Sequence, residues 1–248
     1  MHHPLSQQNV LVFGATGGIG RALCTAAAGV GATLHLSARR EAPLRTLAAE
    51  LGQGYTAADV TDPLAVEQAF TAARSAMGGL DGVVLCVGSI ILKPVHRTTD
   101  EDWSDTLRRN LDTAFFVLRA AARSMMRTGG GSIVLVSTAA AHAGVANHAA
   151  IVAAKSGVEG LVRATAATYA ARKLRINAVA PGLVETPLAA PLLRSPAARA
   201  ASERLHSLGR LGDPDDISHA ITFLLESTWT TGQILTVDGG LSGVKVSR

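Results

Sequence analysis

The stretch NVLVFGATGGIGRALCTAAAGVG, residues 9–31, decides the fold. Residues 9–13 read as a strand: after Asn9 comes an unbroken aliphatic and aromatic run, the pattern of a strand buried on both faces. Residues 18–31 are rich in alanine and end in glycine, as a helix does. Between them lies GATGGIG, with glycines at 14, 18 and 20. The spacing is Gly-xxx-Gly-x-Gly and departs from the literal G-x-G-x-x-G pattern, but the physical logic is the same. Glycines let the backbone approach a diphosphate at a helix N-terminus, where free N–H groups and the helix dipole favour an anion. Gly14, Thr16, Gly18, Ile19 and Gly20 are therefore candidate dinucleotide-binding residues.

Outward from this unit, the alternation repeats. Strands are predicted at 33–37, 54–59, 81–88, 131–137, 174–181 and 233–240, each a short apolar run. Helices are predicted at 41–52, 62–78, 99–127, 147–172, 187–206 and 213–226. Asp62 followed by Pro63, and Asp213 followed by Pro214, are strong helix starts. Strict alternation with apolar strands implies an α/β fold: one Rossmann-type, doubly wound parallel sheet of about seven strands with helices on both faces. No linker, low-complexity tract or solenoid repeat interrupts it, so residues 1–248 read as one domain.

Composition narrows the function classes. Of 248 residues, 48% are hydrophobic and 17% charged, which is globular and not disordered. The net charge is +4, but the arginines and lysines are scattered and aromatics total only 4%, so no nucleic-acid footprint is present. No run approaches the roughly 18 apolar residues of a membrane span. The start, MHHPLSQQN, lacks the apolar core of a signal peptide, and His2 and His3 read as a loose tail, not a metal site. Cys24 and Cys86 form no CxxC pair or metal pattern and suit a reducing compartment; cytoplasm is the expectation, with no metal.

The second predicted strand ends LSARRE. An acidic residue near this point usually takes the ribose 2′-hydroxyl of NAD. This chain has Ala38, then Arg39 and Arg40. Guanidinium groups bind a 2′-phosphate bidentately, where a carboxylate would repel it. The expected cofactor is NADP(H).

With these features in place, nearly the whole chain resembles the short-chain dehydrogenase/reductase family. The glycine loop is similar to the family's TGxxxGxG, with Phe13 in place of threonine. Asp59-Val60 resembles the adenine-contacting pair. Asn110, Ser137 and Lys155 fall where the family has its asparagine, serine and lysine. NAVAPGLVET (177–186) resembles the loop on the nicotinamide side, with Pro181, Gly182, Val184 and Thr186 as implied contacts. The resemblance implies that Ser137 bonds the substrate carbonyl, Lys155 binds the nicotinamide ribose, and Asn110 holds a relay water. It further implies a homotetramer or homodimer and a substrate lid at about 187–206.

Two departures stand out. The family's Asn-Asn-Ala-Gly is here Leu85-Cys86-Val87-Gly88, with only Gly88 kept. Four residues before Lys155, the family's tyrosine is here Ile151, which neither donates nor accepts a proton. On a helix, positions three, four and seven away from Lys155 share its stripe, which places His148 there. An imidazole suits acid/base work near neutral pH. His142 is a second candidate, while Tyr55 and Tyr169 are too distant. Lys155 acting through water is a further route.

Two function classes remain open. One is an NADP(H)-dependent oxidoreductase passing hydride between nicotinamide and a small carbonyl/alcohol substrate, with Asn110, Ser137, Lys155 and His148 in a non-standard proton relay. The other is a non-catalytic NADP(H)-binding protein, a redox sensor or a structural subunit beside an active partner.

Overall fold

The computed structural model describes residues 4–126 and 129–244, so His2 and His3 lie outside the described residues. The strands are β1 (Asn9–Phe13), β2 (Thr33–Ala38), β3 (Gly54–Ala57), β4 (Gly82–Leu85), β5 (Gly131–Val136), β6 (Leu174–Pro181) and β7 (Ile234–Val237). They pair in parallel, in the order β3-β2-β1-β4-β5-β6-β7. Because side chains alternate along a strand, β1 sends Val10 and Val12 to one face and Leu11 and Phe13 to the other. The first face packs under helices α1 (Gly18–Gly29) and α2 (Glu41–Leu51) through Leu23, Leu44 and Leu47. The second packs under α3 (Pro63–Met77) through Val66 and Phe70, whose ring lies 5.7 Å from that of Phe13.

Asp62 caps α3 by accepting from the Leu64 N–H at 2.9 Å, with Pro63 in the first turn. The predicted helix 99–127 is divided. α4 (Asp100–Leu107) and α5 (Thr113–Met125) flank a π-helical turn at Arg108–Asp112, and Arg127 lies outside the described residues. Side chains take up carbonyls around this turn: Asn110 Nδ2 donates to the Thr106 carbonyl at 2.9 Å and Thr113 Oγ1 to the Arg109 carbonyl at 3.0 Å. Such turns often mark functional positions, and this one carries Asn110.

The predicted helix 147–172 begins later, as α6 (Ala149–Tyr169). Asn147 adopts φ 66, a left-handed conformation that asparagine tolerates, so the chain turns there and His148 is the N-cap residue, outside the helix proper. A 3-10 turn at Ala170–Arg172 closes it. The segment 187–206 is not one helix. A 3-10 turn at Ala190–Leu193 precedes α7 (Pro196–Leu205), because Pro196 sets a new first turn and Ser195 caps it through the Ala198 N–H at 3.1 Å. Last comes α8 (Pro214–Glu226), whose Asp213–Asp216 capping box matches its sequence signal.

Strand order reverses between β1 and β4, so the connections leave their carboxyl ends in opposite directions and open a crevice there. The glycine turn sits at that point.

Candidate active site

A cavity of about 340 Å³ opens beyond the carboxyl ends of β1, β2 and β4. Gly14, Thr16, Gly18, Ile19, Arg39, Arg40, Asp59, Val60, Gly88 and Thr186 line it. Gly14 sits at φ 79, and a Cβ there would come within 2.7 Å of the Cys86 carbonyl oxygen. A Cβ on Gly18 would lie 2.5 Å from Thr186 Cγ2, and one on Gly20 only 2.2 Å from the Gly14 carbonyl oxygen. These absent side chains let β1, β4, α1 and the loop after β6 meet. Gly20 is thus a packing residue of the turn and not part of the lining. Among the described residues no side chain caps α1. Its dipole and open backbone therefore face the cavity, a donor set that fits a diphosphate.

The cavity's far end is cationic. Arg39 and Arg40 are exposed there, and neither guanidinium makes a hydrogen bond or ion pair among the described residues. Asp59 lies beside them. Its carboxylate accepts from the Thr61 N–H at 2.9 Å and the Thr61 hydroxyl at 2.8 Å. The backbone bond, then the hydroxyl and the charges of Arg39 and Arg109, hold its carboxyl below the usual range. Arg109 also lines this end, held by Asp105 at 2.6 Å, and is a residue the sequence does not single out.

Beneath Gly88, the polar groups converge. Asn110 is buried; its Oδ1 accepts from the Ser89 N–H at 3.1 Å and its Nδ2 donates to Ser89 Oγ at 3.0 Å. A Cβ on Gly88 would lie 2.9 Å from Asn110 Oδ1 and 3.5 Å from Lys155 Nζ, so glycine permits this approach. Lys155 is buried and donates to the Val136 carbonyl at 2.7 Å. Burial pulls its ammonium down to about 8, and pushes the neighbouring Cys86 thiol up to about 12.

Ser137 lies next to Val136 and is 4% exposed. Its hydroxyl donates to Glu159 Oε1 at 2.8 Å. Glu159 Oε2 faces His142 Nε2 at 3.0 Å. Glu159 is not among the residues singled out in the sequence. The signal was present: it follows Lys155 by four residues, the same helical step that relates Lys155 to Ile151.

A second cavity, of about 400 Å³, adjoins the loops after β4, β5 and β6. Ile90, Leu92, Val145, Ile151, Leu183, Leu192 and Leu205 make it apolar. Pro181 and Gly182 face this cavity and not the first, while Val184 is buried and bridges to Gly212. His148 is on its wall, with Nδ1 2.6 Å from the Ala146 carbonyl. His206 is a further polar group here. Its Nε2 accepts from the Leu183 N–H at 3.0 Å and its Nδ1 donates to the Ser202 carbonyl at 2.8 Å, so the neutral ring ties α7 to the loop after β6. Tyr55 and Tyr169 line neither cavity. Among the described residues no cluster of His, Cys, Asp or Glu is arranged to hold a metal.

A crevice at the strand reversal, a glycine turn on its wall, and buried Asn110 and Lys155 beneath Gly88 fit a nicotinamide-dependent oxidoreductase; Ser137 lines neither cavity. The chain belongs to the short-chain dehydrogenase/reductase family. Residues 14–242 match the family model described as enoyl-(acyl carrier protein) reductase. The chain is 35% identical over 234 residues to carbonyl reductase family member 4 of Danio rerio, covering 93% of this chain and 96% of that protein. It is 34% identical over 235 residues to a 3-oxoacyl-(acyl-carrier-protein) reductase of Vibrio cholerae, with the same coverage, 93% and 96%. A short-chain type dehydrogenase/reductase from Mycobacterium ulcerans superimposes with a TM-score of 0.90 at 31% identity, over 94% of this chain and 89% of that one.

Proposed function

We propose that this oxidoreductase is NADP(H)-dependent and acts on a carbonyl/alcohol pair, with a proton route that does not pass through residue 151. The observation that carries the cofactor choice is the pair of unpartnered guanidiniums, Arg39 and Arg40, on the wall of the first cavity. Two planar cations that make no hydrogen bond or ion pair among the described residues suit a 2′-phosphate. Gly14, Thr16, Gly18, Ile19 and Gly20 hold the diphosphate, Asp59 and Val60 flank the adenine, and Lys155 takes the ribose near Gly88 and Asn110. Val184 and Thr186, with Pro181 and Gly182, shape the nicotinamide end. Bound NADP(H) supplies or accepts the hydride. The role of meeting the substrate oxygen comes to Ser137 from the family resemblance alone; its hydroxyl is turned to Glu159, and Thr138 beside it lines the second cavity.

The apolar second cavity supports an apolar carbonyl substrate, as does the likeness to proteins named carbonyl reductase and 3-oxoacyl reductase. Residues 187–206, with α7 over that cavity, act as the lid of a single domain. His148, on the cavity wall beside Ile151, is the imidazole that the sequence points to for the proton. Exposed Trp103 on α4 and Phe115 on α5 support assembly as a homotetramer or homodimer. Two free cysteines support a cytoplasmic location, and among the described residues no helix is long and apolar enough to cross a membrane.

The test is direct titration with NADPH and NADH, followed by a panel of apolar ketones and secondary alcohols. The expected result is at least about tenfold tighter binding of NADPH, the worth of one charge-assisted contact, with turnover on part of the panel. Equal affinity for the two cofactors overturns the NADP(H) assignment. Tight binding with no hydride transfer in either direction favours a cofactor-binding protein instead.

A further inference from the structure

We infer that Arg109 holds the adenine of the dinucleotide by laying its guanidinium against the base, with Asp105 fixing the plane of that guanidinium. The inference rests on the dinucleotide-binding reading above and deepens it. Arg109 lines the first cavity at the end where Arg39, Asp59 and Val60 lie. It reaches that end from a different layer of the fold. Arg39 and Arg40 lead into α2, whose Leu44 and Leu47 pack on the Val10 and Val12 face of the sheet. Arg109 belongs to the π-helical turn that leads into α5, whose Ala114 and Val117 pack on the Leu11 and Phe13 face. The cavity is therefore walled by guanidiniums from both faces of the sheet. Arg39, Asp59 and Arg109 also share a side cavity of about 190 Å³, so open space separates the two arginines.

The way Arg109 is tethered decides what it can do. Its Nε donates to Asp105 Oδ1 at 2.7 Å and Oδ2 at 2.6 Å, one turn earlier. Both Nη groups make no hydrogen bond or ion pair among the described residues. An exposed i, i+4 ion pair adds little to helix stability, so the effect of this one lies in orientation: it fixes one edge of a planar cation and leaves its flat faces open. The neighbouring charge selects the ligand. Asp59 is ionised, and a carboxylate at this spot repels a phosphate but not a neutral base. Its Oδ1 takes both Thr61 donors, which leaves Oδ2 to accept from an exocyclic amine. A neutral, flat group carrying an amine fits these partners, and a guanidinium attracts the face of an aromatic ring. Asn110, the next residue, is buried beneath Gly88, so one π-helical turn serves two parts of the cofactor cavity.

The experiment is titration of the full chain with NADPH, NADH and reduced nicotinamide mononucleotide, which lacks the adenylate half. In Arg109→Leu, NADPH and NADH both weaken about tenfold and their ratio stays that of wild type, while the mononucleotide binds as before. Asp105→Asn, which alters only an exposed side chain, weakens both dinucleotides about threefold and keeps the test valid should Arg109→Leu fail to fold. The double variant binds no more weakly than Arg109→Leu, because Asp105 acts only through the arginine. A loss confined to NADPH overturns the inference, since Arg109 then reads the phosphate. Equal loss for all three ligands overturns it as well, since the side chain then shapes the cavity as a whole, and so does unchanged binding. Losses that multiply in the double variant overturn the part given to Asp105. A wild type that binds neither dinucleotide overturns the dinucleotide reading and this inference with it. A wild type that binds NADPH and NADH alike overturns only the NADP(H) choice, and the Arg109→Leu comparison still decides the adenine contact.

Discussion

The Lys155 ammonium donates to the Val136 carbonyl at 2.7 Å, with no carboxylate within ion-pair distance among the described residues. Burial lowers this group from its ordinary 10.5 to about 8. Below that value both folded and unfolded chains carry the charge, and the folded state bears the whole burial penalty. As pH rises from about 8 toward 10.5, the folded chain releases its proton first and the penalty is relieved. Lys155→Met is therefore more stable than wild type at neutral pH, by roughly 1–2 kcal/mol after loss of the hydrogen bond. The difference shrinks above pH 8. Thermal unfolding of both proteins across pH checks it, and a variant less stable at neutral pH contradicts it.

Arg39 and Arg40 are the only determinants proposed for the 2′-phosphate, so their joint replacement by serine is selective. NADPH affinity falls about 100-fold, the worth of two charge-assisted contacts, while NADH affinity changes less than about threefold. Fluorescence titration reads both. An equal loss for the two cofactors would mean that these side chains shape the pocket and read no phosphate.

The glycines at 18 and 20 differ in what a methyl group would strike. At Gly20 it meets the backbone carbonyl of Gly14, and at Gly18 the side chain of Thr186. Overpacking costs about 1–3 kcal/mol, and most where the obstacle cannot move. Gly20→Ala is thus the less stable of the two in urea. Gly18→Ala weakens NADPH binding about tenfold, since the displaced loop carries a wall of the cavity, and adding Thr186→Ser, which removes the Cγ2 struck first and keeps the hydroxyl, restores part of it. Failure of that rescue removes the clash as the cause.

Ile151 lines the second cavity and not the first. Ile151→Tyr adds a phenol one turn from Lys155. It raises kcat for small carbonyls about tenfold or more, the low end of general-acid assistance, and leaves NADPH affinity unchanged. Steady-state kinetics with paired binding measurements test this, and an unchanged kcat shows that a side chain at 151 no longer reaches the substrate oxygen.

The sequence by itself determined the sheet, the strand alternation and the glycine turn, because periodicity and turn chemistry are local properties of the chain. The same is true of the caps at Asp62 and Asp213. Arg39, Arg40, Asp59 and Gly88 were legible as well, since each follows a strand end that the pattern locates. Tertiary structure decided what depends on side chains distant in sequence. The π-helical turn at Asn110 was hidden within one amphipathic segment. His148 was moved out of the helix by the left-handed turn at Asn147. Glu159 looked like one more charge on a helix, and only folding brought it against Ser137, 22 residues away, and His142. Burial, which gives those contacts their chemical weight, is a property of the packed sheet and helices that no single segment carries.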